Sequence, residues 1–298
     1  MKKGIIIVSI FLIALLSFFY FLPRGEINFV QKTSETNFNL VNESEMQFYP
    51  NMRFASSDIS YSISDCTLKK TNDMQYAFSI ISNLTPLRFY PTDSNEDIFI
   101  TCDEGLKQSD SGLFIAGEGG PTTIVSAGNF NIITKGKILL IKKSDCATPN
   151  VALHELLHVL GFIHSDNLNN VMYNITDCSQ VIGDDVVSLL NYLYSIPSYS
   201  DLTFENVTAK QSGNFLDIEF SVMNYGFKDS KSFFVNISSD DSLLKEINVE
   251  QIEFGKGRII SIKNIFTIKK ISELELSINA DFDEIDRENN KIKLEIQE

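Results

Sequence analysis

The chain has 298 residues, of which 43% are hydrophobic and 21% charged, the balance of a globular protein rather than a disordered one. That length suits about two domains of ordinary size. The formal net charge of -14 disfavours nucleic acid and anionic lipid headgroups as partners, and no basic cluster along the chain offsets it.

The N-terminus opens with Lys2 and Lys3, followed by an apolar run from Ile5 to Leu22 broken only by Ser9 and Ser17. A membrane-spanning helix needs about 18 or more such residues, whereas the apolar core of a cleaved signal is usually about 7–15. No small-x-small cleavage site follows the run, so residues 1–23 read as an uncleaved transmembrane helix with a cytoplasmic N-terminus. Secretion after signal cleavage is the alternative. Residues 24–48 are polar and aperiodic and read as a stalk. On either reading the remainder lies outside the cytoplasm, anchored to the membrane or secreted.

Residues 49–197 mix both kinds of element. Ile59–Ile63 alternates like a strand, Asn72–Leu84 carries apolar residues at helical spacing, and Asp97–Thr101 and Lys137–Lys142 read as further strands. The glycines of 105–136, Gly117, Gly119 and Gly120 among them, suggest a loop-rich stretch. Another helix is expected near Asp184–Tyr194. The four cysteines, Cys66, Cys102, Cys146 and Cys178, fit disulfides in an exported chain. Of the three pairings, Cys66–Cys102 with Cys146–Cys178 is expected, since each pair flanks one local unit; four free thiols are the alternative in a reducing compartment.

Residues 154–164 read His-Glu-Leu-Leu-His-Val-Leu-Gly-Phe-Ile-His and hold all three histidines of the chain. Thr148 can cap a helix and Pro149 can start it. His154 and His158 then stand one turn apart on one face, as two imidazoles gripping one zinc ion require. Gly161 tolerates positive φ, so the chain can stop the helix and return His164 to the same metal. Three imidazoles leave a fourth position for water, which is the catalytic arrangement. Glu155 lies beside the first histidine and can act as general base without ligating the metal.

From Asp201 to the end, about seven alternating runs separated by turn signals suggest an antiparallel sandwich over 201–298, after a linker at Ile196-Pro197-Ser198. The acidic stretch Asp281–Asn290 reads as a solvated loop, with a structural calcium site as the alternative.

The pattern His-Glu-x-x-His-x-x-Gly-x-x-His is similar to the signature of the metzincins, a clan of zinc endopeptidases. Ser165 after the third histidine, and Met172 in the place of the clan's methionine turn, resemble the matrixins. So do Asn83–Phe89 leading into Asp97–Ile100, and Asp184–Tyr194 as a closing helix. The resemblance covers about 50–195. It implies an α+β metzincin domain, a mixed twisted sheet with long helices, that hydrolyses polypeptides using zinc. The matrixin cysteine switch is missing. Residues 201–297 more loosely resemble the cell-adhesion-related immunoglobulin-like domain of prokaryotic surface proteins, at Leu202-Thr203-Phe204 and Glu288-Asn289-Asn290. A surface adhesion protein with a silent protease fold is the alternative function.

Overall fold

The computed structural model describes residues 12, 26–31, 45–105, 107–108, 114–142, 145–240 and 242–296. Its first sheet is built from β2 (Met52–Phe54), β3 (Asp58–Ser64), β4 (Arg88–Pro91), β5 (Ile98–Cys102), β8 (Gly117–Ala127) and β9 (Phe130–Leu140). β9 is the organising strand. β8 runs antiparallel along one side of it, and β5 and β2 lie parallel along the other, followed by β3 and β4. A two-stranded ribbon of β6 (Lys107–Gln108) and β7 (Phe114–Ile115) precedes β8.

Three helices accompany this sheet: α1 (Leu68–Leu84), α2 (Asn150–Val159) and α3 (Asp184–Ser195). α1 begins four residues earlier than its apolar spacing suggests and buries Met74, Ala77, Phe78 and Ile81. Those positions recur at i, i+3, i+4 and i+7, so one stripe faces the sheet, where Phe78 packs on Tyr61 and Phe89. α2 is buried on every side.

The stretch expected to be loop-rich is mostly strand. β8 and β9 pair from Gly117 and Leu140 down to Ala127 and Phe130, joined by a turn in which Gly128 has φ 56°. The glycines of β8 serve a close approach rather than turns. A Cβ on Gly119 would lie 2.4 Å from the Glu155 carbonyl oxygen on α2, and one on Gly117 would lie 2.7 Å from Glu155 Cγ. Two glycines on one face let the strand approach the Glu155 side chain at Gly117 and the helix backbone at Gly119.

The C-terminal strands are β10 (Leu202–Ser212), β11 (Phe215–Asn224), β12 (Phe233–Ser239), β13 (Ser242–Val249), β14 (Gly257–Phe266), β15 (Glu273–Asn279) and β16 (Lys291–Ile296). Together with β1 (Glu26–Gln31) they form one eight-stranded antiparallel sheet in the order β13-β12-β15-β16-β1-β10-β11-β14. Its inward residues share one core, including Phe29, Phe204, Phe220, Phe233 and Leu294.

This architecture corrects the expected fold class in three respects. Among the described residues the helices have 17, 10 and 12 residues and strands dominate, so the long-helix picture does not hold. The seven expected C-terminal strands are present, but as one continuous sheet rather than a two-sheet sandwich, because β1 bridges β16 and β10. That strand comes from the segment read as an aperiodic stalk. Finally, among the described residues no helix is long and apolar enough to cross a membrane, so the transmembrane anchor finds no support. The run Ile5–Leu22 lies outside the described residues apart from Leu12.

The two sheets meet at a small cluster holding Phe130 and Ile132 of β9, Ile196, and Phe227. Arg53 of β2 sits at this junction, 1% exposed. Its guanidinium donates to the Leu193 and Ile196 carbonyls at the end of α3 and to Ser198 Oγ. It lies 4.3 Å from the Tyr194 ring centre and 4.1 Å from that of Phe227. The stretch expected as a linker, Ile196–Ser198, is therefore held by the first lobe.

Candidate metal centre

α2 carries His154, Glu155 and His158, and its first residue is Asn150, one turn before the first histidine. Pro149 takes the cap position, and no side chain caps the helix. Asn150 is buried and its Nδ2 donates to the Asp177 and Gln180 carbonyls, tying the helix start to the segment beyond Met172.

The helix stops at Gly161, whose φ of 100° lies in the region that excludes side chains. A Cβ there would also lie 2.7 Å from Met52 Sδ. Beyond the turn the chain is gripped by residues 46–48. Phe48 N–H donates to the Gly161 carbonyl, and Ile163 N–H donates to the Met46 carbonyl. Gln47 locks this strap by a two-way side-chain pairing with the Met52 backbone.

The three histidines converge through their Nε2 atoms. His154 and His158 lie 3.0 Å apart, His158 and His164 3.2 Å, and His154 and His164 3.3 Å, nitrogen to nitrogen. Two ligands about 2.05 Å from one ion at the tetrahedral angle stand about 3.3 Å apart, so the triangle fits zinc. The opposite ring nitrogens of His154 and His158 are committed. His154 Nδ1 bonds the Val171 carbonyl at 2.7 Å, and His158 Nδ1 bonds the Phe162 carbonyl at 2.8 Å. A carbonyl can only accept, so Nδ1 carries the proton and Nε2 presents a lone pair. Burial holds all three imidazoles below their ordinary pKa, with His158 at about 4, which favours the neutral ligand form. His154 and His158 are buried, while His164 is exposed.

Glu155 is 5% exposed beneath β8. Burial, with a smaller contribution from Glu118, pushes its carboxyl up to about 8. Met172 is 1% exposed and its backbone closes the loop after the third histidine. Ser165 N–H donates to the Met172 carbonyl, and Met172 N–H donates to Asn170 Oδ1. Two disulfides are present, Cys66–Cys102 and Cys146–Cys178. The second encloses the histidines, Glu155, Gly161 and Met172 in one covalent ring.

Among the described residues the histidine trio is the single group of three or more His, Cys, Asp or Glu with ligand atoms converging within 4.8 Å. Among the described residues the acidic run 281–290 brings no such group together. Glu284 instead accepts from Leu202 N–H and Asn290 Nδ2. Sequence reading missed Asn150, the Val171 and Phe162 carbonyls, and the strap 46–48. Backbone acceptors leave no mark in a residue string, and Asn150 is distinguished only by being polar at a buried helix start.

Residues 53–195 match the family model described as Matrixin, and the matched span contains the whole histidine cluster. No curated protein matches the chain. A CARDB domain from Pyrococcus furiosus, solved in complex with di-metal ions, is 16% identical over 33% of this chain and 88% of that one, at a TM-score of 0.28. At that score the likeness bears no weight.

Proposed function

We propose that this chain, a matrixin-like zinc metalloprotease through residues 53–195, is an endopeptidase acting on extended polypeptides outside the cytoplasm. The observation that carries the reading is the convergence of three Nε2 atoms, 3.0–3.3 Å apart, with Glu155 next to the first of them on the same helix. His154, His158 and His164 would hold the zinc. When bound, it supplies a Lewis acid that acidifies water and polarises the scissile carbonyl.

The chain's own residues supply the rest. Glu155 is the general base and then the acid that delivers the proton to the leaving amine. Burial raises its carboxyl, so the carboxylate is a stronger base than a solvated glutamate and its protonated form can pass the proton on. The Val171 and Phe162 carbonyls fix two of the imidazoles, so the ligands need not reorient. Gly161 brings back the third, and Met172 closes the loop that follows. β8 pairs only with β9 among the described residues, so its far side can receive substrate backbone as an added strand. The two disulfides fit an oxidising, extracytoplasmic compartment.

The test is Glu155→Gln in the purified protein. Zinc content should stay near one per chain, while cleavage of an unfolded protein substrate falls by about 10²-fold or more. Survival of cleavage would remove Glu155 from the mechanism. Less than half a zinc per chain at neutral pH in the unmutated protein would remove the three-histidine ligand set.

A further inference from the structure

β1 stands apart from its neighbours in the chain. It precedes the whole catalytic segment yet lies in the C-terminal sheet, between β10 and β16 and antiparallel to both. Ile27 pairs with Gln211, Phe29 with Ala209 and also with Ile296, and Gln31 with Leu294. β10 has β11 as its other neighbour and β16 has β15, so among the described residues the edges facing β1 pair with no other strand. β1 lies between them, pairing with β10 over residues 26–29 and with β16 over residues 29–31, and the two ladders share Phe29. The slot also has a socket. Phe29 is 5% exposed within the core that contains Leu202, Phe204 and Leu294, and Ile27 packs against the same core two residues earlier.

We propose that the space between β10 and β16 is an acceptor site for an extended peptide, and that residues 26–31 are its built-in ligand. Recognition rests on two backbone ladders, which any extended chain can satisfy, and on a deep apolar socket, which selects an aromatic residue preceded at i-2 by a branched aliphatic one. The ligand is this chain's own Ile27-Asn28-Phe29 pattern. The same N-terminal region reappears at residues 46–48, bonded to both sides of Phe162 in the turn between His158 and His164. Occupancy of the slot therefore fastens one end of a segment whose other end grips the metal loop.

The experiment uses the full chain carrying Phe29→Asp, which places a charge in the socket, and a labelled synthetic peptide of residues 24–33. The variant should lose amide protection at 209–212 and 294–296 and regain it on adding peptide, which binds one to one. The unmutated chain, with its slot filled in cis, should bind the peptide at least tenfold more weakly. A peptide carrying the same Asp should bind neither chain. If the aspartate unfolds the domain, Phe29→Ala, which empties the socket without charging it, is tested with the same peptide. Failure of the peptide to bind either variant overturns the proposal. So does unchanged protection at both edges in a folded Phe29→Asp chain.

Discussion

Replacing Arg53 with Met tests how the two lobes are held together. The substitution keeps most of the side-chain volume and removes the guanidinium. Four bonds of 2.5–3.0 Å disappear, to the Leu193, Ile196 and Phe54 carbonyls and to Ser198 Oγ. At about 1.5 kcal/mol each for a charged donor, that is about 6 kcal/mol. Loss of the two ring faces adds about 1 kcal/mol each. Against this stands relief of a buried charge. Burial lowers the Arg53 pKa from 12.5 to about 10, worth about 3 kcal/mol. The net expectation is about 5 kcal/mol of destabilisation. Urea unfolding gives the size of the loss. Calorimetry should also show one transition resolving into two, since Arg53 bonds α3 while stacking on Phe227 of the C-terminal lobe. A loss below about 1 kcal/mol, or a single unaltered transition, would refute the view of Arg53 as the clamp.

Three other perturbations follow from the geometry. Gly119→Ala forces a Cβ to within 2.4 Å of the Glu155 carbonyl, whereas Gly120→Ala meets nothing within 4 Å. The first should cut kcat by about 100-fold through displacement of β8 or Glu155, the second should leave it unchanged, and equal effects would deny the close packing. Changing Cys146 and Cys178 together to Ser opens a loop of sequence separation 32, which the chain-entropy relation values at about 4 kcal/mol; matched denaturation curves measure it. Asp201 gives a pH signature. Burial raises its carboxyl from 3.8 to about 6 in the folded state, so the native chain binds the extra proton between those values. Stability should fall as pH rises from 4 to 6, by up to about 3 kcal/mol from this group, and Asp201→Asn should flatten that slope in denaturation at fixed pH steps.

The candidate site was largely legible because its chemistry is local. An i, i+4 pair, a glycine stop and a third histidine all fall within 154–164, where helical geometry fixes their relation. The cysteine pairing was readable for a similar reason, each bridge closing one compact stretch. What escaped depends on distant partners. Gly117 and Gly119 carry the usual mark of a loop, and their real constraint, the Glu155 side chain and backbone, lies on another element. β1 has a short pattern with one deeply buried residue, Phe29, and its partners, β10 and β16, come at least 170 residues later. The continuous sheet that replaced the expected sandwich rests on that one strand. Arg53 gave no sign either, since a lone arginine in a strand normally faces water.

The Cys146–Cys178 bridge bears on the denatured chain as much as on the native one. Every proposed ligand lies inside its ring and within residues 154–164, and that short spacing keeps unfolding from carrying the three imidazoles far from one another. Their mutual effective concentration stays high in the random state, and a metal released on unfolding meets a tethered set of ligands rather than a dispersed one. Zinc should therefore bind the oxidised unfolded chain measurably. By linkage that residual affinity subtracts from the stabilisation the metal gives the folded protein. Reduction would weaken the fold while leaving the three imidazoles at the same sequence spacing, so most of the subtraction would remain and the metal's stabilisation would be measured against a weaker fold.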